Sequence, residues 1–141
     1  MPDKWYDDEK ISIYTEMKLD YLKKIIEMHL EITKNVLKRN FKSDGKYYYT
    51  DATSSYGKVR LLNGDIVNSS PLIFLEAADR LGIRFYANFI DKEANKIDFL
   101  RSNIQMDFPQ YNGYHLLCQS DDHNRLIKQL VKDYNGYAYG L

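Results

Sequence analysis

Residues 47–57 read YYYTDATSSYG, and this stretch decides the fold. Three tyrosines and a threonine favour a β-strand, which Asp51 closes. The small polar residues that follow, together with Gly57, favour a loop. We therefore predict a first strand over 46–50 and a polar loop over 52–69.

The same succession of strand and helix recurs downstream. Ser70 and Pro71 suit the N-cap and the first position of a helix, which Gly82 ends. Later segments predict, in order, a strand over 84–90, a helix over 92–104, a strand over 114–119, a helix from about 122 to 134, and the beginning of a fourth strand over 137–141.

Upstream of the first strand lies a long helical pattern. Its apolar residues recur at steps of three and four, which places them on one face of a helix. They are Met17, Tyr21, Leu22, Ile25, His29, Ile32, Val36 and Leu37. Residues 1–14 are acidic and aromatic, and we assign them to an N-terminal arm.

Strands that alternate with helices predict a parallel sheet with helices packed on it. We expect a doubly wound, Rossmann-like α/β domain over 15–141, with three strands in the order 3-2-1 and flanking helices. The sheet is expected to be incomplete, because the chain ends where a fourth strand begins. An exposed edge on the first strand is an aggregation hazard, so a second chain, self-association or a missing C-terminal half is expected to cover it.

Composition narrows the function classes. The chain carries 20 Lys and Arg against 20 Asp and Glu, which argues against strong non-specific attraction to phosphate. Cys118 is the single cysteine, so disulfides within the chain and cysteine-rich metal sites are excluded. No signal peptide and no apolar run of membrane-spanning length is present, and we expect a cytoplasmic protein that makes no membrane contact.

A carboxylate follows each of the three predicted strands, as Asp51, Asp91 and Asp121. In an open parallel sheet, ligands bind outside the carboxyl ends of the strands. A carboxylate after the second strand can accept both ribose hydroxyls of a nucleotide, and one after the third can accept an adenine amine. Aspartate is equally suited to capping helices, and the residues alone leave both interpretations open.

Four stretches carry a resemblance to a known family. They are KLDYLKKIIEMHLEITKNVLKRNF (18–41), YYYTDATSSYGK (47–58), SSPLIFLEAA (69–78) and FYANFIDKEANKIDFL (85–100). Together they resemble the three-Cys-motif partner proteins, which are methyltransferase-like proteins of bacteria and mobile elements. In one departure, Ser55 stands where that family's first loop usually has a second glycine.

The resemblance implies S-adenosylmethionine as cofactor, with Asp91 on the ribose and Asp121 near the adenine. The implied binding set is Asp51, Thr53, Ser54, Ser55, Gly57, Asp91, Lys92, Ser120 and Asp121. A nucleic acid is the suggested methyl acceptor. The family's Asp-Pro-aromatic signature at the end of the fourth strand is absent, so we expect no methyl transfer by this chain alone.

Two functions therefore stay open. The first is a methyltransferase-like domain that binds S-adenosylmethionine. The alternative is a non-catalytic module that binds a nucleotide-like ligand or a partner protein, which the high tyrosine content, 13 residues, also suits.

Overall fold

The computed structural model describes residues 5–8, 12–39 and 46–121, and the backbone of 139–140. The elements, in chain order, are α1 (Thr15–Arg39), β1 (Tyr47–Asp51), β2 (Lys58–Arg60), β3 (Ile66–Asn68), α2 (Ser70–Leu81), β4 (Phe85–Asp91), α3 (Ala94–Asp107), β5 (Leu116–Ser120) and β6 (Tyr139–Gly140). The predicted helix after residue 122 lies outside the described residues. Within those residues, no helix combines the length and the apolar character needed to cross a membrane.

The strands of the main sheet run in parallel, as the alternation of strands and helices predicts. Among the described residues the sheet has four strands in the order β5-β4-β1-β6. The three predicted strands, β1, β4 and β5, form the expected parallel sheet. Tyr139 and Gly140, within the segment predicted to begin a fourth strand, pair as β6 with Tyr48 and Tyr49 of β1, so the expectation of an open edge on the first strand is wrong at these two positions. This fourth strand is only two residues long.

The loop predicted over 52–69 is a second correction. It contains β2 and β3, which form a separate antiparallel hairpin with Val59 opposite Val67. Asn63, Gly64 and Asp65 make the turn, and the Asp65 amide donates to the Asn63 side chain at 2.9 Å. Three-residue strands with polar neighbours carry too few alternating apolar positions to stand out in the sequence.

One face of the sheet packs on α2 through aromatic side chains. The Phe74 ring stacks on the Tyr49 ring with centroids 4.0 Å apart, and its centroid lies 5.2 Å from that of Phe85. Both Phe74 and Phe89 are fully buried. Because side chains alternate along a strand, Tyr47, Tyr49 and Asp51 share this face of β1.

The start of α2 differs in one residue from the prediction. The N-cap is Ser69, not Ser70, and its side chain makes no capping hydrogen bond. Pro71 still lies in the first turn, where its missing amide donor costs nothing. Gly82 ends the helix in the left-handed conformation, as predicted.

The long helix α1 carries two apolar faces, and the prediction from its spacing identified mainly the exposed one. The face packed against α2 and the core is formed by Leu19, Leu22, Ile26, Leu30 and Thr33. Most residues of the predicted face are more than half exposed, including Met17, Tyr21, Ile25, Ile32 and Val36. His29 also lies on an exposed part of the helix, although its ring contacts the Tyr47 hydroxyl.

Residues 5–8 are tied to the hairpin and to α3. The Asp7 amide donates to the Lys58 carbonyl at 2.8 Å, and the Arg60 amide donates to the Asp7 carbonyl at 2.9 Å. The buried Asn103 amide donates to the carbonyls of Trp5 and Tyr56, each at 2.9 Å. One asparagine thereby fastens the N-terminal residues and the loop after β1 to the same helix.

Candidate functional site

The carboxyl ends of β1, β4 and β5 meet at one edge of the sheet. Asp51 pairs in register with Phe89, and Asp91 pairs with Ser120. The Asp121 amide lies 3.3 Å from the Asp91 carbonyl, to which it donates a hydrogen bond. The structure therefore brings Asp51, Asp91 and Asp121 to the same edge, as their positions after the predicted strands suggested.

Asp51 and Asp91 differ slightly from their predicted positions. Each was expected just after its strand, but each is the last residue of the strand itself. The strands therefore hold the backbone of both aspartates through the sheet register. A rigid backbone at this position restricts where the two carboxylates can point.

Asp51 is 8% exposed and is surrounded by hydrogen-bond donors. Its Oδ1 accepts from the Thr53 amide at 3.2 Å, and its Oδ2 accepts from the Ser70 hydroxyl. The Ser54 hydroxyl donates to the Asp51 carbonyl at 3.0 Å. The carboxylate therefore connects the end of β1 to the start of α2 across the intervening hairpin.

Burial raises the pKa of Asp51, because desolvation penalises its charged form. Hydrogen bonds from Ser70, Thr53 and Ser54 oppose this rise without cancelling it, and the negative charge of Asp91 adds to it. The ionised form of this side chain is thus less stable in the folded chain than in the unfolded one.

This raised pKa makes folding stability depend on pH. Stability from Asp51 is fully present below its unfolded pKa of about 3.8 and is lost as pH rises through the folded value. We expect Asp51→Asn to remove this loss, so the variant gains stability relative to the parent chain as pH rises. Urea unfolding at several values between about pH 4 and 7 measures this difference. The exposed Asp98→Asn serves as control, and a constant difference between parent and Asp51→Asn would contradict the assignment.

The loop after β1 folds back over the end of β4. The Ser54 amide donates to the Ile90 carbonyl at 2.9 Å, and the Ser55 amide donates to Asp91 Oδ2 at 3.0 Å. Ser55 has a φ of 55°, a left-handed conformation that costs a residue with a Cβ about 1–2 kcal/mol. The hydrogen bond to Asp91 therefore helps to hold a serine where glycine would be unstrained.

The Ser55 hydroxyl is the polar group of this loop that lacks a protein partner. Its Oγ is buried, and among the described residues nothing within hydrogen-bond distance accepts from it or donates to it. A buried hydroxyl without a partner costs about 1–3 kcal/mol. A ligand or a water molecule that paired with Ser55 would recover that free energy.

Gly57, which was included in the expected binding set, has a packing role. Its φ is +79°, and a Cβ built on it would lie 2.6 Å from Leu100 Cδ1 and 3.3 Å from Leu72 Cγ. The glycine therefore lets the loop pass between side chains of α2 and α3. The packing around this position therefore requires glycine, and the placement of Gly57 in the binding set stays a prediction.

Both carboxylate oxygens of Asp91 accept hydrogen bonds from backbone amides at this edge of the sheet. Oδ1 accepts from the Glu93 amide and Oδ2 from the Ser55 amide, each at 3.0 Å. An ionised carboxylate has about four acceptor positions, so these two bonds leave room for further donors. The side chain is also half-buried, which keeps it accessible to a ligand.

The remaining members of the expected set lie around these two aspartates. Thr53, Lys92 and Ser120 are exposed, and the Ser120 hydroxyl donates to the Lys92 carbonyl at 3.2 Å. Asp121 is half-buried beside Asp91. These residues frame the edge.

Two polar residues were not predicted to matter. Ser70 was assigned a capping role, but its hydroxyl instead donates to Asp51. Asn88 lies within β4, opposite Thr50, and its Nδ2 is buried without a partner among the described residues. An asparagine inside an otherwise apolar strand was the one sequence signal that could have drawn attention to it.

Cys118 lies in β5, two residues before Ser120. It is buried in β5, and burial raises the pKa of its thiol to about 11, although the nearby Arg101 charge lowers it in part. Thiol chemistry near neutral pH needs a lowered pKa. The raised pKa is typical of a buried cysteine that packs as a small apolar side chain.

In the part of the chain that the structure describes, no cluster of three or more His, Cys, Asp or Glu side chains is arranged to hold a metal ion. Comparison of the chain with protein-family models, with curated proteins and with solved structures gives no match.

Proposed function

We propose that this chain is a Rossmann-like, methyltransferase-type domain that binds S-adenosylmethionine at the carboxyl edge of its parallel sheet. The observation that carries the proposal is the position of Asp91. Its half-buried carboxylate is fixed by the amides of Ser55 and Glu93 and has acceptor positions left over. A carboxylate at the end of the second strand is suited to accept the two hydroxyls of a ribose.

Preorganisation supports the assignment to Asp91. Two backbone amides orient the carboxylate, so little conformational freedom is lost when a ligand binds. Ser55 lies beside it, and its buried hydroxyl has no hydrogen-bond partner in the part of the chain that the structure describes. A polar ligand at this place would gain hydrogen bonds from groups that are already in position.

The charge of the edge favours a cation over a phosphate ester. Apart from the buried Asp51, the described residues of the three strand ends carry three acidic side chains, Asp91, Glu93 and Asp121, against two basic ones, Lys92 and Lys96. Lys96 is itself bound to Glu93 at 2.6 Å. An excess of carboxylates attracts a sulfonium ion and repels a triphosphate.

Asp51 acts in this proposal as a positioning residue. It is buried and occupied by donors from Thr53 and Ser70, so it holds the loop and the start of α2 together. The loop held in this way places the Ser55 amide where it donates to Asp91 Oδ2. Lys92, Ser120 and Asp121 frame the side of the edge on which an adenine would lie.

The second candidate is a binding module for a nucleotide-like ligand without methyl transfer. The free acceptor positions of the Asp91 carboxylate can bind the hydroxyls of any ribose. This property supports the second candidate as well as the first. Ligand selectivity separates the two. A methyltransferase-type site is expected to prefer S-adenosylmethionine and S-adenosylhomocysteine over adenosine, because these two ligands extend past the ribose toward the loop after β1.

Isothermal titration calorimetry tests the proposal with S-adenosylmethionine, S-adenosylhomocysteine, adenosine and adenosine triphosphate. We expect the first two to bind best and the triphosphate to bind worst. Asp91→Asn should weaken binding of S-adenosylmethionine by about 10- to 100-fold, because hydrogen bonds to a charged group contribute about 1.5–3 kcal/mol.

Asp98→Asn is the matched control, since Asp98 is an exposed carboxylate on the neighbouring helix, paired with Arg101 at 3.0 Å. It should leave the affinity unchanged. If Asp91→Asn loosens the loop, a lower melting temperature will show it. In that case the affinity of Asp121→Asn for S-adenosylmethionine is measured instead, and it should also be weaker than that of the parent chain. Failure of the parent chain to bind any of the four ligands, or unchanged affinity in a well-folded Asp91→Asn, would overturn the proposal.

A further inference from the structure

A continuous line of exposed apolar side chains runs along α1. We call it the α1 stripe, and it begins one residue before the helix. Its members are Tyr14 (56% exposed), Met17 (53%), Tyr21 (62%), Ile25 (57%), Met28 (58%), Ile32 (60%) and Val36 (54%). Their spacing of three and four residues keeps all seven on one side of the helix over more than six turns.

The α1 stripe is separate from the face that α1 uses for its own fold. That inner face packs against α2 through residues such as Ile26 and Leu30, which are 8% and 1% exposed. At about 100° per residue, the α1 stripe lies roughly a third of a turn of the helix away from this inner face. The helix therefore has two apolar faces, and only one of them packs against the rest of the described chain.

The exposed area is large enough for a stable interface. Seven large side chains, each more than half exposed, present on the order of 700 Å² together, and a standard interface uses about 800 Å² from each partner. Apolar patches beyond a few hundred Å² are rare on monomers and mark interaction surfaces. Scattered exposed residues would not form such a line.

The spacing of the α1 stripe is complementary to itself. Reversed about Ile25, position 14 falls opposite 36, while 21 and 17 fall within one residue of 28 and 32, an offset of about 1.5 Å along the helix axis. Two copies of α1 packed antiparallel, with a twofold axis near Ile25, would thus place an apolar side chain opposite an apolar side chain along the whole length. A twofold interface requires this self-complementarity.

Electrostatics permit two copies to approach. The chain carries equal numbers of acidic and basic residues, so no net charge separates one copy from another. Around the α1 stripe, Asp20 and Lys24 already form an ion pair at 3.1 Å on the same helix. Neither sign of charge dominates beside the apolar line.

We propose that two copies of this chain associate through the α1 stripe as an antiparallel helix pair. The proposed dimer interface does not depend on the ligand site, because α1 contributes no residue to the edge formed by Asp51, Asp91 and Asp121. The proposed interface is also distinct from the sheet edge at which association was expected from the sequence.

The test is the molar mass of the full chain by size-exclusion chromatography with light scattering, at protein concentrations from micromolar to millimolar. The parent chain should reach the mass of a dimer. Ile25→Glu places a charge from each copy at the twofold axis and should weaken dimerisation by about 100-fold or more. Met106→Glu is the matched control, because Met106 is 76% exposed on α3, and it should leave the dimer intact.

A second variant tests whether the two copies of Ile25 lie next to each other in the dimer. Ile25→Cys should form a disulfide between copies under mild oxidation, because the two residues meet at the axis, whereas Met106→Cys should not. A parent chain that stays monomeric at the highest concentration overturns the proposal. A dimer that persists in Ile25→Glu also overturns it, because the two copies would then associate through a surface other than the α1 stripe.

Discussion

Replacing Phe74 by alanine should lower the free energy of unfolding by about 3–5 kcal/mol, the usual cost of deleting a buried aromatic ring. Phe74 is fully buried, its ring stacks on Tyr49 at 4.0 Å, and its centroid lies 5.2 Å from that of Phe85. It is thus the side chain through which α2 contacts both β1 and β4. The loss comes from the removed apolar contacts together with the cavity that remains. Chemical denaturation monitored by circular dichroism measures it.

Phe74→Leu is the matched control, because leucine fills much of the same space and should cost less than about 1.5–2 kcal/mol. Met106→Ala, at a side chain that is 76% exposed, should cost much less than either. A loss below about 1 kcal/mol for Phe74→Ala would be inconsistent with the packing of α2 on the sheet. Because such a loss is a large share of the stability of a small domain, the alanine variant should unfold near physiological temperature.

The second large effect is expected at Gly57. Gly57→Ala should destabilise the chain by about 2–5 kcal/mol, since a left-handed conformation costs about 1–2 kcal/mol and overpacking adds about 1–3 kcal/mol. The new Cβ would lie 2.6 Å from Leu100 Cδ1, so α3 or the loop after β1 must move. Displacing that loop would also shift Ser55 away from Asp91, and ligand affinity should fall with stability.

Gly82→Ala separates the two contributions to that loss. Gly82 has a φ of +67°, close to the +79° of Gly57, but no atom of the described residues lies within 4 Å of its built Cβ. Its alanine variant should therefore show only the conformational cost, about 1–2 kcal/mol, and should leave ligand binding intact. Equal losses at the two glycines, measured by urea unfolding, would show that the space between Leu72 and Leu100 is not restrictive.

The sheet could be predicted from the sequence because its strands are chemically distinct. Tyrosine-rich β1 and aromatic β4 are each bounded by polar residues, and the Ser-Pro pair marks the start of α2 within one residue. Alternation of such strands with helices leaves a parallel sheet as the natural arrangement. The carboxylates at the strand ends followed from the same reasoning.

The inner face of α1 could not be predicted, because two sets of apolar residues share one helix. Met17, Tyr21 and Ile25 follow a helical period as well as Leu22 and Ile26 do. Nothing in the spacing says which set meets α2. Only the packed structure distinguishes them, since burial depends on the partner element and not on the period of the helix itself.

The candidate site was predicted in its acidic residues and not in its supporting contacts. Asp51 and Asp91 stand out as acids that close strands. By contrast, the bond from Ser70 to Asp51 spans 19 positions and depends on how the hairpin returns the chain to β1. The packing role of Gly57 likewise depends on Leu100, more than 40 positions away. Contacts of this range follow from the tertiary fold and leave no local pattern.

NMR spectroscopy of the ¹⁵N-labelled chain tests most directly the proposal that the edge around Asp91 binds an adenosine-containing cofactor. On titration with S-adenosylhomocysteine, we predict that the largest amide shifts occur at Ser55, Glu93 and Asp121, which lie around the Asp91 carboxylate. Shifts confined to the opposite end of the strands, at Arg84 and His115, or a spectrum that the ligand leaves unchanged, would contradict it.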